Sequence, residues 1–578
     1  MIFFEKKIIS YKGYNVPADE SYRISFKNRC LTLLLMILSG LVLSSAFPPL
    51  NWQLLAFAAL APLLVQSIKN PSSWRLFSYG YVWSMTWSFC SFFWLREINT
   101  AIPFALALIF GLWGGVYACI MSFVWHYGLN DVNHLLMGAK MRENSNAGAL
   151  KCIIFALSGG CIFIMLEYIR IKMFPWNFIG VTQYKMLYLI QIVKWCGIYG
   201  VSFLIVCMNA ALAVLFWCIA EKMRSKQVNI RGAAICNIFV LFLIAAAAVY
   251  GFFEFRKSEK IYLEGRKIRC GVIQGDISQR RVSTPEMAKE ALDTYIKMSY
   301  ELAAKKPDII IWPETAVPYP YFGGHIVSGY YRRDVHTFVT EKKIPLLIGT
   351  LDFVQISDGR YDMTNSALLI NTQGRVCAGY AKINRVPYGE FVPFREFLSD
   401  ELAEKFGMGR DLRAGDDPAP LEILPGVRAG MAICYESIFA SLARDEANSG
   451  ANMLLAINND AWYPESSEPE QHVANAVFRA VETGLPALRC GNNGASSLIL
   501  PSGRISWMIG RKDLLARERL SGIAEVLIQD KVPSTFYTRF GDVFLFILFC
   551  GGLAVIFTGI WNCFAALQTL RKNKTEQS

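Results

Sequence analysis

Long apolar blocks dominate the first half of the chain: roughly 30–46, 53–66, 77–95, 102–126, 152–173, 197–219 and 233–253, with an eighth at 543–561. Several approach the ~20 residues that a helix needs to cross a bilayer, and the pattern predicts eight transmembrane helices. The second block is short and follows the first across Phe47-Pro48-Pro49, which predicts a tight helical hairpin. Ser44-Ser45-Ala46 resembles a signal cleavage site, but the polar leader before it and the apolar blocks behind it favour an anchored helix.

Between 254 and 538 charges appear throughout, and strand-like runs alternate with helical ones. "KIRCGVIQGDI" (267–277), "DIIIWPE" (308–314), "PLLIGTLDFV", "NSALLIN" and "CAGYAKIN" read as strands. "GVRAGMAIC" leads into a helix near 438–449, and "NMLLAINN" into one near 470–484. The stretch 283–306 reads as a helix with a Ser or Thr cap, Pro285 in its first turn and an early Glu286. The expected organisation is a basic leader (1–29), seven transmembrane helices (30–253), an α/β domain of enzyme size (254–538), an eighth transmembrane helix (539–563) and a basic tail (564–578).

Composition agrees with a membrane protein carrying a soluble part: of 578 residues, 53% are hydrophobic and only 18% charged. The net charge of +12 does not argue for nucleic acid, because many of the basic residues flank apolar blocks. Their distribution gives an orientation. Lys69 and Arg75, then Lys140, Arg142 and Lys151, then Lys222, Arg224, Lys226 and Arg231 occupy alternate loops, whereas 47–52 has no charge and 174–196 has only Lys185 and Lys194. The positive-inside rule places both termini in the cytoplasm and the polar domain outside, which in a bacterium with an outer membrane is the periplasm. The 15 cysteines lie mostly in apolar blocks, where they act as small hydrophobes, and neither their spacing nor the five scattered histidines form a zinc pattern.

Three strand ends deliver reactive groups: "IIIWPET" ends in Glu314, "YAKINRVPYGEFVPF" carries Lys382 and Glu390, and "MAICYES" carries Cys434. Singly, each has an ordinary reading: a buried structural thiol, a capping acid, a solvated lysine. Together they form an acyl-transfer set without histidine. A helix starting near Ser437 and the Lys382 ammonium would favour a Cys434 thiolate. A glutamate would move the proton, and the lysine would stabilise an oxyanion.

Trp312-Pro313-Glu314, Lys382 and Cys434-Tyr435-Glu436, in that order, resemble the Glu-Lys-Cys triad of the nitrilase superfamily, and the membrane context narrows the resemblance to the apolipoprotein N-acyltransferases. "AFPPLNWQLLAFAALAPLL", "FPWNFIGVTQY", "VIQGDI", "RVPYGEFVPF", "AGDDPAPLEIL", "NNDAWY", "QHVANAVFRAVETGLPALRCGNNG" and "TFYTRFGDVF" are similar to that family as well, so the likeness covers nearly the whole chain after the leader. Departures are Tyr463, where phenylalanine is common, and Cys490-Gly491 before Asn492-Asn493-Gly494.

The resemblance implies a membrane α-helical bundle of eight transmembrane helices plus an α/β nitrilase-like αββα sandwich domain. It implies Glu314 as general base and acid, Lys382 as oxyanion support, Cys434 as nucleophile, and Glu390, Tyr435 and Glu436 as supporting groups. Trp462 and Tyr463 would belong to a substrate loop. No metal and no cofactor are implied. The implied donor is a phospholipid, phosphatidylethanolamine by expectation, and the implied acceptor is a diacylglyceryl apolipoprotein, both met in the inner membrane, with no nucleic acid. Drawing a chain of about sixteen carbons into water would cost roughly 12 kcal/mol, at about 0.8 kcal/mol per methylene, which gives a physical reason to seat such an enzyme on a helical bundle. A membrane-anchored amidase using the same triad, and a transporter or sensor with an inactive domain, are the competing readings. Glu167 and Arg170 in the fifth block are either a local helix pair or the wall of a polar cavity.

Overall fold

The computed structural model describes residues 18–71, 74–129, 145–278, 284–355, 361–393, 395, 411–463, 466–509 and 518–575. Lys140, Arg142, Ser283 and the leader up to residue 17 lie outside these.

The apolar blocks fold into helices α1 (Ala18–Ser45), α2 (Ala61–Lys69), α3 (Trp74–Ser91), α4 (Ala101–Phe123), α5 (Ser145–Ile171), α6 (Ile198–Met223) and α7 (Ile230–Leu263). Six stretches among the described residues are long and apolar enough to cross a membrane: Lys27–Ser45, Ala101–Gly128, Gly148–Ile171, Ile198–Met223, Ile230–Leu263 and Val543–Ala565. Small residues let the helices approach: a Cβ on Gly80 of α3 would lie 2.1 Å from the Gly114 carbonyl oxygen of α4.

The second block departs from expectation. It is not one helix but a 3-10 turn, Gln53–Phe57, followed by the nine-residue α2, which at 1.5 Å per residue spans only about 14 Å. Asn209 of α6 makes the break tolerable. Its Oδ1 accepts from the amides of Leu60 (2.7 Å) and Ala61 (3.1 Å), and its Nδ2 donates to the Ala56 carbonyl (2.8 Å). Backbone groups freed at membrane depth must find such partners.

Tertiary contacts sort the loops by end. At one end Ser122 bonds Asn70, Asn562 bonds Tyr127, and Gly148 abuts Asn229; Lys69, Lys151, Arg224 and Lys226 belong to this end. At the other end lie the charge-poor loops, and the α/β domain sits against them.

α7 runs past residue 253 to Leu263 and feeds directly into the domain. In chain order the domain comprises β1 (Arg266–Gln274), α8 (Pro285–Ala303), β2 (Ile309–Ile311), α9 (Ile326–Lys342), β3 (Leu346–Gln355), β4 (Tyr361–Ile370), β5 (Val376–Ala381), β6 (Leu421–Leu424), β7 (Val427–Ile433), α10 (Ala440–Asn448), β8 (Met453–Asn458), α11 (Glu468–Thr483), β9 (Ala487–Gly491), β10 (Ser497–Ile499), β11 (Ile505–Met508) and β12 (Leu520–Ile528). The last helix is α12 (Val543–Thr575). Thr284 caps α8 by accepting from the Met287 amide, with Pro285 in the first turn.

The strands form two six-stranded sheets, ordered β12-β1-β2-β3-β4-β5 and β11-β10-β9-β8-β7-β6, each with three central parallel strands and antiparallel flanks. Their inner faces share one core, with Val272, Ile309 and Leu347 against Met431, Leu455 and Leu488. The outer face of the first sheet is covered by α8 and α9. The second is covered by α10 and α11, whose Ala443, Val477 and Phe478 join the core of the helical bundle. This is an αββα sandwich with one helical layer seated on the membrane helices.

α11 is therefore enclosed on both sides, and its polar residues need partners. Gln471 Oε1 accepts from Trp94 Nε1 (3.1 Å), Trp176 Nε1 (2.9 Å) and Asn177 Nδ2 (3.0 Å), and its Nε2 donates to the Ser91 carbonyl (3.2 Å). Glu482 accepts from the Ile198 amide at the start of α6 (2.9 Å) and pairs with Arg479. These hydrogen bonds join bundle and domain.

Candidate active site

β2, β5 and β7 end at the same rim, and the residues just beyond them meet there. Lys382 follows β5, with its amide bonded to the Asn365 carbonyl of β4 (2.8 Å). Its Nζ lies 2.9 Å from Glu390 Oε1 and 3.3 Å from Glu314 Oε1. Asn365 Nδ2 donates to both carboxylates, at 2.7 Å to Glu314 and 2.9 Å to Glu390. The Val386 amide donates to Glu390 Oε2 (2.8 Å). The Cys434 thiol lies beside Glu314, and each affects the titration of the other.

One ammonium thus faces two buried carboxylates, and the pair shares it unequally. Burial alone would neutralise Lys382, but Glu390 and Glu314 outweigh it and hold the lysine charged. Burial also acts on Glu390, where Lys382 and the donors around it prevail and keep the carboxyl below its usual range. Glu314 goes the other way: burial pushes it up, Lys382 offsets part of this, and the charge of Glu390 adds to the rise. A carboxylate raised in this way beside a thiol is suited to accept and return a proton.

The setting of Cys434 differs from the sequence expectation. Cys434 does not sit at a helix N-terminus; it opens a 3-10 turn, Cys434–Ile438, and α10 begins only at Ala440. Its φ is +55°, a left-handed conformation that is uncommon for a side chain with a Cβ. Burial pushes the thiol well up, the charge of Glu314 adds to this, and Lys382 opposes it. These surroundings favour the thiol form of Cys434 over a standing thiolate.

Glu436 ties the strands together. It accepts from the amides of Ile383 (2.7 Å), Asn384 (2.8 Å) and Ile433 (2.8 Å) and from Tyr380 Oη (3.0 Å). Burial pushes it up to about 7 against those amides. It joins the segment after Lys382 to the strand before Cys434. Tyr435 turns to the bundle, stacking on Trp176 (6.3 Å between centroids) and Phe174 (6.4 Å). Tyr463 meets Trp94 edge-on at 4.8 Å, while Trp462 is 49% exposed. An aromatic layer of Phe92, Trp94, Phe110, Phe174 and Trp176 therefore lies directly under the residues next to Cys434. Arg170 and Glu167 brace that layer: the guanidinium donates to the carbonyls of Trp176 (2.8 Å) and Asn177 (3.0 Å), and the carboxylate accepts from the Ile179 amide (2.8 Å).

Cys490 lies in the core between the sheets, its sulfur 3.4 Å from the Ile311 carbonyl, and burial raises its pKa. Asn365 and His472 escaped the reading of the sequence. Their only signal there is a polar residue at an inward position, Asn365 heading the apolar "SALLI" and His472 directly before Val473 and Ala474. Asp460, Glu468 and His472 form the one group of possible metal-ligand type among the described residues. The imidazole Nδ1 already contacts both carboxylates (3.3 and 3.2 Å), and the Arg489 guanidinium stands 3.6 Å from Asp460. A fixed cation in that position makes the group a closed ion cluster.

An αββα sandwich with glutamate, lysine and cysteine at its strand ends defines a carbon–nitrogen hydrolase-type enzyme, and residues 269–515 match the carbon-nitrogen hydrolase family. Residues 39–211 match the apolipoprotein N-acyltransferase N-terminal domain. An apolipoprotein N-acyltransferase of Geobacter metallireducens is 31% identical over 530 residues, covering 90% of this chain and 94% of its own. One of Gloeobacter violaceus is 27% identical, covering 82% and 84%. Among solved structures, an amidase from Nesterenkonia sp. aligns with 48% of this chain and 95% of its own at 16% identity and a TM-score of 0.32, a likeness too slight to bear on function. The chain belongs to the apolipoprotein N-acyltransferase family.

Proposed function

We propose that this protein moves a fatty acyl chain from a phospholipid to the α-amino group of the N-terminal diacylglyceryl-cysteine of apolipoproteins, by way of a thioester on Cys434. The observation that carries this is the seat of the Glu314–Lys382–Cys434 group directly on the aromatic layer of the bundle, through Tyr435 and Tyr463. A site for a soluble amide needs no such floor; a lipid ester whose chains stay among membrane helices does.

In the first half-reaction the Cys434 sulfur attacks the ester carbonyl carbon while Glu314 takes the thiol proton. The oxyanion that forms is stabilised by the Lys382 ammonium. The carbon–oxygen bond breaks, and the lysophospholipid leaves with the proton from Glu314. In the second half the lipoprotein amine attacks the thioester and gives its proton to Glu314. The carbon–sulfur bond then breaks, and the thiol is restored. Glu390 holds Lys382 charged, and Glu436 holds the two strand ends together. Trp462 and Tyr463 would form a loop that closes the site over lipid and excludes water from the thioester.

Phosphatidylethanolamine is the expected donor. The expected setting is the inner membrane, with residues 254–538 as a periplasmic domain, 30–253 and 539–563 as membrane parts, and 1–29 and 564–578 as cytoplasmic ends. The gathering of basic loops at the bundle end remote from the domain supports that orientation. Eight crossings follow if the broken 53–69 segment and the 18-residue α3 are counted with the six long apolar stretches.

The test is product identity. Purified enzyme with phospholipid and a diacylglyceryl peptide should yield N-acyl peptide and lysophospholipid in equal amounts. Steady release of free fatty acid, or hydrolysis of simple amides with no N-acyl peptide, would make it a hydrolase.

A further inference from the structure

The left-handed turn at Cys434 must be held, because a residue with a Cβ does not rest there unaided. Two groups hold its carbonyl oxygen: His472 Nε2 at 3.0 Å and Ser437 Oγ at 3.1 Å. His472 is fully buried on α11, with its Nε2 also 2.7 Å from Ser437 Oγ and 3.5 Å from Asn458 Nδ2. Its other nitrogen faces Asp460 Oδ1 (3.3 Å) and Glu468 Oε1 (3.2 Å). A nitrogen between two carboxylates carries a proton, and so does a nitrogen that bonds a carbonyl oxygen. With a proton on each nitrogen the ring donates to the Cys434 carbonyl on one side and to the carboxylates on the other, whereas the neutral Nδ1–H tautomer would accept at Nε2 from Ser437 Oγ instead. The Arg489 guanidinium joins the same cluster, reaching Asp460 Oδ2 (3.6 Å) and Ser437 Oγ (3.4 Å). Trp176 of the bundle closes the remaining face, its ring 5.2 Å from the imidazole.

We propose that His472 is a positioning residue: as an imidazolium clamped by Asp460 and Glu468, it holds the Cys434 carbonyl and so fixes the turn that presents the thiol to Glu314. This role rests on the acyltransferase reading above. Burial and Arg489 disfavour the ring's charge, but the two carboxylates outweigh them and raise its pKa. Burial and the charge of Asp460 bring Glu468 up to about 7. The sign follows: the hold on Cys434 is complete below the pKa of His472 and is lost as pH rises through it. Nothing in this device touches substrate, so it acts on the rate of the chemical step through placement of the sulfur.

The experiment follows Cys434 in full-length enzyme in lipid nanodiscs, by mass spectrometry of its peptide across pH. One arm reads acylation by phospholipid and the other alkylation by iodoacetamide, which needs no lipid chemistry. His472→Leu should slow both by about 10²-fold, the cost of a misplacement near 1 Å. His472→Gln, whose amide can still donate to the carbonyl, should recover most of that rate and lack the high-pH decline of the wild type. Glu468→Gln removes one of the two carboxylates that hold the proton and should shift that decline to lower pH. A merely structural role would leave the profile of His472→Gln unchanged, and that result overturns the proposal. So does a folded His472→Leu with wild-type rates. If His472→Leu does not fold, the profile of His472→Gln decides. Wild-type enzyme that is alkylated but never acylated refutes the acyltransferase reading, and the alkylation arm then judges His472 alone.

Discussion

Exchanging Glu390 for glutamine would test the division of labour between the two carboxylates. In the native site the Lys382 ammonium lies closer to Glu390 (2.9 Å) than to Glu314 (3.3 Å), and Glu390 alone receives the Val386 amide. The substitution keeps size and shape but removes one negative charge. Neutralising one member of a buried ion pair costs about 3–5 kcal/mol when the partner is left alone. Here Glu314 remains as a second partner, so the loss should fall at the lower end and the protein should still fold. The chemical effect is more telling. Glu314 becomes the sole counter-ion of Lys382 and loses the like charge that raised it, so its pKa falls and it accepts the thiol proton less readily. A general base is worth roughly 10²–10⁴-fold in all, and a weakened one should cost part of that, roughly 10- to 100-fold in Cys434 acylation. In the wild type that rate climbs with pH as Glu314, raised above its ordinary range, loses its proton. In Glu390→Gln the climb should come at lower pH. Stopped reactions of enzyme with phospholipid, scored by acyl-Cys434 mass between about pH 4 and about pH 9, read both quantities. A midpoint that stays put or moves up, or an undiminished plateau, would refute the assignment of charge to Glu390 and proton traffic to Glu314.

Gln471→Leu should strip partners from Trp94, Trp176 and Asn177; at about 1–3 kcal/mol for each orphaned buried donor, thermal unfolding in detergent should show a clear fall in Tm. Asn209→Leu should also lower Tm, because the amides of Leu60 and Ala61 lose their acceptor inside the membrane; an unchanged Tm would mean that the broken segment needs no such support. A reporter active only outside the inner membrane should work when fused after Glu264 and be silent after Arg224, and the reverse would overturn the orientation.

Legibility in the sequence followed the kind of interaction. The α/β character of the domain was readable because its strands are apolar runs punctuated by turn residues, and β1, β3, β7 and β8 fall where the runs "KIRCGVI", "PLLIGTLDFV", "GVRAGMAI" and "NMLLAIN" lie, whereas the αββα layering came only with the family resemblance. Membrane helices were readable wherever twenty or so residues stayed apolar. The 53–66 block misled because hydropathy measures burial and not continuity; Asn209, some 150 residues away, supplies the partners that permit a break. The helix after Cys434 was placed too early for a similar reason. The local sequence favours a helix start, but the bonds from Glu436 and His472 impose a tighter turn first. Glu314, Lys382, Glu390 and Cys434 were singled out at strand ends, and the fold brings all four together. Tyr435 and Glu436 were singled out through the family resemblance of Cys434-Tyr435-Glu436; in the fold one stacks on the bundle and the other binds backbone amides. Asn365, Gln471 and His472 work only through partners distant in the chain, which no local pattern encodes.

The central claim is that Cys434 carries the acyl chain, and the most direct measurement is the intact mass of purified enzyme mixed with phospholipid and no acceptor. The wild type should gain one acyl-chain mass, mapped to the Cys434 peptide and discharged by a diacylglyceryl peptide as N-acyl product, while Cys434→Ala gains nothing. Formation of N-acyl peptide by Cys434→Ala, or an acyl mass located on another residue, would contradict the account.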